Sequence, residues 1–386
     1  MAQHDNSHGP PRRLTFGFLD FAAGGAQELV LTACRHLDRG RFAPHLLCLR
    51  GRGRWLPRAR RAELPVATLG RLEGSWDAAA VFHARRHLRR WRTEILHLPL
   101  YSRAFPYFRL AARLAGVPLV VAHELGRPTP PRRRRRWADA ALNRGSRYLA
   151  TSRFHRQELI AAGIDPASIA VVYSGIDPAP FAHLPARTAR QGPLRRQYAI
   201  GERPVVLVPS RLHPMKGHVD LIAAHRRVQR KVPEIRLILA GDGPERSALE
   251  AAVAAAGCGD SIHFLGHRDD LPALLAEADV VCLPSHREGL PAALLEAYAA
   301  ARPVVATAVG GVPEALTDGR EGRLVPPRDP EALADALSEL LRAPASGQAC
   351  GAAGRRTLTE RFTADRTTAA LEAQYLAWWQ EAQGER

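Results

Sequence analysis

The chain has 386 residues, 24% of them charged and 46% in the set AVILMFWYC, enough for two or three domains with buried cores and unlike disordered, collagen-like or coiled-coil sequences. Its formal net charge of +17 lies wholly in the first 180 residues, which hold 30 Arg against 13 Asp and Glu; the rest holds 25 of each sign, an asymmetry that points to an anionic partner met by the first half. No apolar run nears the ~20 residues of a membrane span, MAQHDNSHGPPRR has no apolar signal core, and five scattered cysteines without Cys-x-x-Cys argue against a disulfide framework or zinc site and fit a cytoplasmic setting.

The first half alternates strand and helix patterns. Leu14–Leu19 reads as a strand, Phe21–Gly25 as a glycine-ended loop and Ala26–Leu37 as a helix. Pro44–Leu49 is a second strand. Over Ala78–Arg92, Val81, Ala84, Leu88 and Trp91 form one stripe, with Arg85, Arg86, Arg89 and Arg90 opposite it. Strands at Ile95–Leu98 and Pro118–Ala122 flank a helix near Ala104–Leu114. Arg132–Arg136 lead into a second amphipathic stretch at Trp137. Arg147–Ala150 is a strand followed by a helix capped by Thr151 or Ser152, and Ile169–Tyr173 is the last strand of this half. Residues 178–203, broken by Pro178, Pro180, Pro185, Gly192 and Pro193, read as an interdomain connection.

The second half repeats the alternation. Strands are expected at Val205–Pro209, Arg236–Ala240, Ile262–Leu265, Val280–Leu283 and Pro303–Thr307. Helices are expected at Val219–Lys231, Pro244–Ala256, Leu271–Ala276, Pro291–Ala300 and Pro330–Leu341. Continuous apolar strands between amphipathic helices predict parallel sheets covered on both faces. The expected class is α/β, with two doubly wound Rossmann-like domains facing across a cleft and ligands beyond the carboxyl ends of the strands.

The densest candidate region runs from Pro284 to Val325. Glu288 falls in a loop after a strand, and Glu296 in the helix that follows. Pro291 suits the first helical position, so Gly289, Leu290 and the first helical amides make an anion site. Glu296 leans back towards it. Two carboxylates beside a helix start suit a nucleotide sugar; an ordinary helix N-terminus accounts for the same residues equally well. In SRLHPMKG, Ser210–Gly217, Arg211 and Lys216 bracket a loop at a strand end, where a forked guanidinium and an ammonium together neutralise a diphosphate. Lys216 is one of two lysines among 55 Lys and Arg. GDGPER, Gly241–Arg246, reads as a plain turn. Gly24 and Gly25 allow close backbone approach to a phosphate or sugar but fall short of G-x-G-x-x-G. His123 and Glu124 follow a strand.

Together these segments resemble glycosyltransferase family 4, the retaining nucleotide-sugar transferases of the GT-B fold. The match is strongest over Val205–Val325: SRLHPMKG, GDGPER, the Glu-x7-Glu pair in EGLPAALLE, PVVATAVGGVPE and DGREGRLV. It extends more loosely through GGAQ, AHELG and YSGID. The resemblance implies that Arg211 and Lys216 hold the donor diphosphate and Glu296 the ribose. It places Glu288 by the donor sugar, with amides of Gly289 and Leu290, sets His123 against the transferring sugar, and closes Gly24 and Gly25 over the phosphates or acceptor. It divides the chain into an acceptor-binding domain (1–180), a donor-binding domain (181–365) and a C-terminal helix (366–386) packing back on the first. Base recognition is expected near Leu265–Arg268. The sequence departs from the family pattern at Ser174, where Asn is frequent, and at Ala301, where Gly is common.

The implied reaction is hexosyl transfer with retention, from a nucleotide sugar to a glycan or lipid-linked acceptor, in cell-surface polysaccharide or glycolipid synthesis. No Asp-x-Asp occurs, so no metal or resident cofactor is expected. With no evident carboxylate nucleophile, the reading is same-face transfer in which the leaving phosphate takes the acceptor proton. A nucleotide-sugar epimerase is the nearest alternative. A nucleic-acid-binding protein is the alternative from another class; against it, the basic segments lack interleaved aromatics. An anionic membrane surface is a candidate partner of the basic half, at the inner face of the membrane.

Overall fold

The computed structural model describes residues 10–21, 25–53, 56–71, 77–99, 105–124, 145–184 and 192–384. They form two compact units, one of residues up to 175 with 364–386 and one of 176–363. Gly24, Glu124's side chain and Arg132–Arg136 lie outside the described set.

The first unit holds a seven-stranded parallel sheet in the order β3-β2-β1-β4-β5-β6-β7. Its strands are β1 (Arg12–Phe18), β2 (Phe42–Cys48), β3 (Val66–Thr68), β4 (Ile95–Leu98), β5 (Leu119–Glu124), β6 (Ser146–Ala150) and β7 (Ile169–Val171). Alternate residues feed two cores. Leu14, Phe16, Ile95 and Val121 meet the helices Gly25–His36 and Ala364–Gly384 on one face. Leu96, Leu98 and Ala122 meet Ala78–Arg90 and Phe105–Ala115 on the other. The C-terminal helix is fixed by Leu371, Tyr375, Trp378 and Trp379 in that core and by Glu372, which accepts from the Asp38 amide at 2.6 Å.

The second unit holds a six-stranded parallel sheet in the order β10-β9-β8-β11-β12-β13. Its strands are β8 (Val205–Val208), β9 (Arg236–Ala240), β10 (Ile262–Gly266), β11 (Val280–Leu283), β12 (Val304–Thr307) and β13 (Gly322–Val325). β8, β11 and β12 are buried at every position, as strands covered on both faces must be. The chain leaves β8 in one direction for β9 and β10, and later returns on the other side for β11. The gap between the ends of β8 and β11 is therefore the topological switch point where ligands of such sheets bind.

Three expectations need correction. Residues 192–203 are not a loose connection but part of the second unit. Arg195, 3% exposed, pairs with Asp279 at 3.1 Å and donates to the carbonyls of Gly201, Arg203 and Glu277. Glu277 in turn accepts from the amides of Leu194 and Arg195. The signal was masked by Pro193, which here opens the helix Pro193–Gln197. Pro291 is not the first residue of its helix; it is the cap before Ala292–Ala299, with extended ψ of 129°. His123 and Glu124 do not follow a strand but end β5, paired with Leu149 and Ala150. Ala301, where glycine is the common residue, lies at φ +52°, a left-handed turn that a side chain adopts only at a cost.

Candidate functional site

The loop after β8 is shaped by glycines around it. A Cβ on Gly241 would lie 1.9 Å from the carbonyl oxygen of Ser210, and one on Gly243 2.2 Å from that of Leu212. GDGPER is thus more than a turn: it is the surface on which SRLHPMKG rests. The Leu212 amide donates to the Asp242 carbonyl at 3.1 Å, and the Glu245 amide to the Leu212 carbonyl at 3.2 Å. A short 3₁₀ turn, Pro214–Lys216, is capped by the His213 ring, which accepts from the Met215 amide. Gly217 then adopts φ +65°, and its missing side chain lets the Pro284 carbonyl approach to where a Cβ would stand only 1.9 Å away. The His286 amide donates to the Met215 carbonyl at 2.8 Å, tying the loops after β8 and β11 together.

These contacts bring Lys216 and Glu288 together. Lys216 Nζ donates to Glu288 Oε1 at 2.6 Å, and Ser285 Oγ donates to the same oxygen at 2.6 Å. The Lys216 side chain is 27% exposed and that of Glu288 9%, so the pair sits at the mouth of the switch point. Glu288 Oε2 accepts no hydrogen bond among the described residues. Arg211 is exposed at the same strand end, and its guanidinium makes no hydrogen bond or ion pair among the described residues. His218, which opens the helix His218–Lys231, is held to Ser210 Oγ at 3.0 Å. Burial, and next the nearby Lys216 charge, push its pKa down to about 4, so it is neutral. His286 Nε2 meets Asp220 Oδ2 at 2.6 Å.

The loop from Glu288 is braced by Gly310, at φ +57°, whose Cβ would fall 1.9 Å from the Glu288 carbonyl oxygen. The Gly311 amide donates to the Gly289 carbonyl at 2.7 Å. Leu290 is buried, so what it offers is its backbone. Past Pro291 the first amides of Ala292–Ala299 have no partner inside the helix, and half-buried Glu296 lies on the same helix. Lys216 and Glu288 thus meet at the switch point, with Arg211 on the same loop as Lys216 and the helix that carries Glu296 starting just after Glu288; cations and helix amides of this kind suit a diphosphate.

His123 belongs to the other unit. With Tyr173, Ser174, Thr32, Thr367 and Leu371 it lines a recess, so segments of AHELG, YSGID and the helix begun by Gly25 converge there. His123 is half-buried as a residue, but its Nε2 is enclosed and without a hydrogen-bond partner among the described residues. Desolvation, then the nearby His155, push its pKa down to about 3, so it is a neutral imidazole. His97 on β4, buried, packs its ring 5.2 Å from that of His123. Sequence reading missed His97, although a histidine inside the apolar run ILHL was a visible signal. It missed Ser285, Gly217 and Gly310 because their roles depend on contacts between loops distant in sequence.

Two Rossmann-like parallel sheets, one with a Lys–Glu pair and a helix start at its switch point, are the elements of a GT-B architecture. Residues 191–357 match the glycosyl transferases group 1 family and residues 23–180 match glycosyltransferase family 4. A GDP-mannose-dependent alpha-(1-6)-phosphatidylinositol monomannoside mannosyltransferase of Mycobacterium tuberculosis is 35% identical over 294 residues, covering 72% of this chain and 74% of that protein. An alpha-D-kanosaminyltransferase of Streptomyces kanamyceticus is 32% identical over 294 residues, 71% and 75% of the two chains. Among solved structures, Anabaena HepE in complex with UDP and glucose superposes with a TM-score of 0.82 at 23% identity, over 94% of this chain and 99% of that one, a likeness of fold. The chain belongs to glycosyltransferase family 4. It is a hexosyltransferase-type glycosyltransferase, not a nucleotide-sugar epimerase or a nucleic-acid-binding protein.

Proposed function

We propose that the enzyme moves a hexosyl group, with retention, from a nucleoside-diphosphate sugar to a glycan or lipid-linked acceptor in glycolipid or surface-polysaccharide synthesis, and that GDP-mannose is the donor to test first. The observation that carries the reading is the Lys216–Glu288 pair at the β8/β11 switch point, beside Arg211 and the Ala292–Ala299 helix start. Bond breaking leaves growing negative charge on the diphosphate, and cations preorganised there stabilise it without a metal. Lys216 keeps two N–H donors beyond the one given to Glu288. Arg211 supplies a fork, and the amides of Gly289, Leu290 and the first helical turn add dipoles. Glu288 Oε1 is committed to Lys216 and Ser285, which favours a sugar-hydroxyl contact through Oε2 over a nucleophilic role. The leaving phosphate then takes the acceptor proton on the same face. Glu296 holds the ribose. His123, a neutral imidazole, exchanges a hydrogen bond with a sugar hydroxyl, while Gly24 and Gly25 let backbone approach the phosphates or acceptor.

The test is a thermal-shift screen with GDP, UDP, ADP and their sugars, followed by calorimetry. A ligand bound only by the native state raises stability as RT ln(1 + [L]/Kd). Glu296→Ala should weaken nucleoside diphosphate binding by about 1.5–3 kcal/mol; unchanged affinity in a folded variant removes the ribose role. Metal independence is tested with EDTA: full turnover in its presence supports the reading and loss reversed by a divalent cation refutes it.

The basic first unit favours an acceptor at an anionic membrane. On the helix Ala78–Arg90, Phe82 is 59% exposed among exposed Arg86, Arg89 and Arg90, and each basic residue near a headgroup layer contributes about 1 kcal/mol. No described helix is long and apolar enough to cross a membrane. Anionic liposomes should retain the protein at low salt and release it as salt rises; a protein left in the supernatant at low salt indicates a soluble acceptor.

A further inference from the structure

We propose that Tyr375, on the C-terminal helix, is a positioning residue for His123 and acts through the imidazole of His97. The inference rests on the assignment of His123 to the transferring sugar. His97 and His123 lie on the same sheet face: His97 pairs with Val121, and His123 is two residues further along β5. Their rings stand 5.2 Å apart at 58°. Phe16 packs on the opposite side of the His97 ring at 5.0 Å, and the Tyr375 hydroxyl hydrogen-bonds His97 Nδ1. The ring of His97 is therefore fixed in three directions, and it forms one wall against which His123 rests.

The chemistry of the place argues for use rather than packing. The surroundings are Leu14, Phe16, Phe42, Ile95 and Val121, an apolar core. A phenylalanine at both 97 and 375 would fill it without burying a hydroxyl and an imidazole, whose desolvation is costly. Tyr375 is 0% exposed and His97 1% exposed. The bond to Nδ1 also fixes how the His97 ring is oriented. His97, like His123, is kept neutral by burial, so neither ring repels the other by taking a proton. The row from Tyr375 to His123 thus ties a sugar-facing imidazole to a helix from the far end of the chain. The ionisable groups near it are His155 and His97 for His123, and Cys34 and Glu372 for Tyr375.

The experiment compares four variants of the full chain in steady-state release of GDP from GDP-mannose and of UDP from UDP-glucose. Alongside, Tm is measured and the histidine ring nitrogens are followed by two-dimensional 1H–15N spectra. Tyr375→Phe should lower kcat about tenfold through a loosened His123, leave donor KM within about twofold, and shift the His97 Nδ1 resonance. Trp378→Phe, on the same helix and also buried, should lower Tm without this loss of kcat. The double variant His97→Phe/Tyr375→Phe removes both polar partners and should recover Tm while kcat stays low. The proposal is overturned if Tyr375→Phe turns over like wild type, or if the double variant regains kcat together with Tm, since either result makes the row structural only. Wild-type kcat in His123→Ala would instead remove the underlying role of His123. Loss in His123→Ala with none in Tyr375→Phe refutes the positioning alone.

Discussion

Gly310→Ala separates a general backbone cost from damage to the site. Gly310 sits at φ +57°, and an added Cβ would lie 1.9 Å from the Glu288 carbonyl oxygen, 2.8 Å from its carbon and 3.2 Å from the Gly289 oxygen. Side-chain carbons do not stand within 3.0 Å of such atoms, so the Glu288–Gly289 peptide must retreat by about 1 Å against steep repulsion. The Gly311 amide, bonded to the Gly289 carbonyl at 2.7 Å, ties the retreating peptide to the strand of chain that pushes it. Left-handed backbone adds about 1–2 kcal/mol for a residue with a Cβ. Gly319 provides the control: φ +77° with no atom within 4 Å of its Cβ position. Both variants should lose the conformational term in thermal or urea unfolding. Only Gly310→Ala should also open the 2.6 Å contact of Lys216 with Glu288, and a displacement of about 1 Å there should reduce kcat about 10²-fold. The assay is nucleoside diphosphate release, with donor affinity by calorimetry. Equal kcat in the two variants would refute the claim that the 309–311 turn sets the position of Glu288.

Lys216→Met removes a cation whose value grows as the diphosphate departs, so kcat should fall by about 10²–10³ with a smaller change in donor KM; a raised KM alone assigns it to ground-state binding. Arg195→Met removes the cation that balances the buried Asp279 carboxylate, whose Oδ2 then keeps the Val205 amide but no positive charge from residue 195, and should destabilise the second unit by about 3–5 kcal/mol in urea unfolding. Ala301→Gly relieves the φ +52° turn; the gain of about 1–2 kcal/mol in the folded state exceeds the roughly 0.4–1 kcal/mol of added unfolded-chain entropy, so Tm should rise. His218 and His225 are held at about 4 by burial, below about 6.5 when unfolded. The unfolded chain therefore binds protons first, and stability falls as pH drops from about 6.5 towards 4, by on the order of 2 kcal/mol per histidine at pH 5. A Tm that stays flat between pH 7 and pH 5 contradicts their burial as neutral rings.

The sequence by itself determined the α/β class and eleven of the strands, missing the short edge strands Val66–Thr68 and Gly322–Val325, and it marked the strand ends that carry the candidate residues of the second unit, because these are local properties. Runs such as Val304–Thr307 are apolar throughout only if both faces are covered, and a strand end followed by Arg211, Lys216 or Glu288 places a charged side chain where parallel sheets bind ligands. It could not show that Arg195 locks 192–203 into the second unit, because its partners Glu277 and Asp279 lie over 80 residues away. Nor could it show that Gly217, Gly241 and Gly310 are required by the carbonyls of other loops, since a glycine's use lies in what approaches it. The row Tyr375–His97–His123 is the extreme case. It joins residues 278 apart in sequence, no local pattern relates a C-terminal helix to the middle of a sheet, and only packing of that helix on the first unit's core brings the hydroxyl to the imidazole.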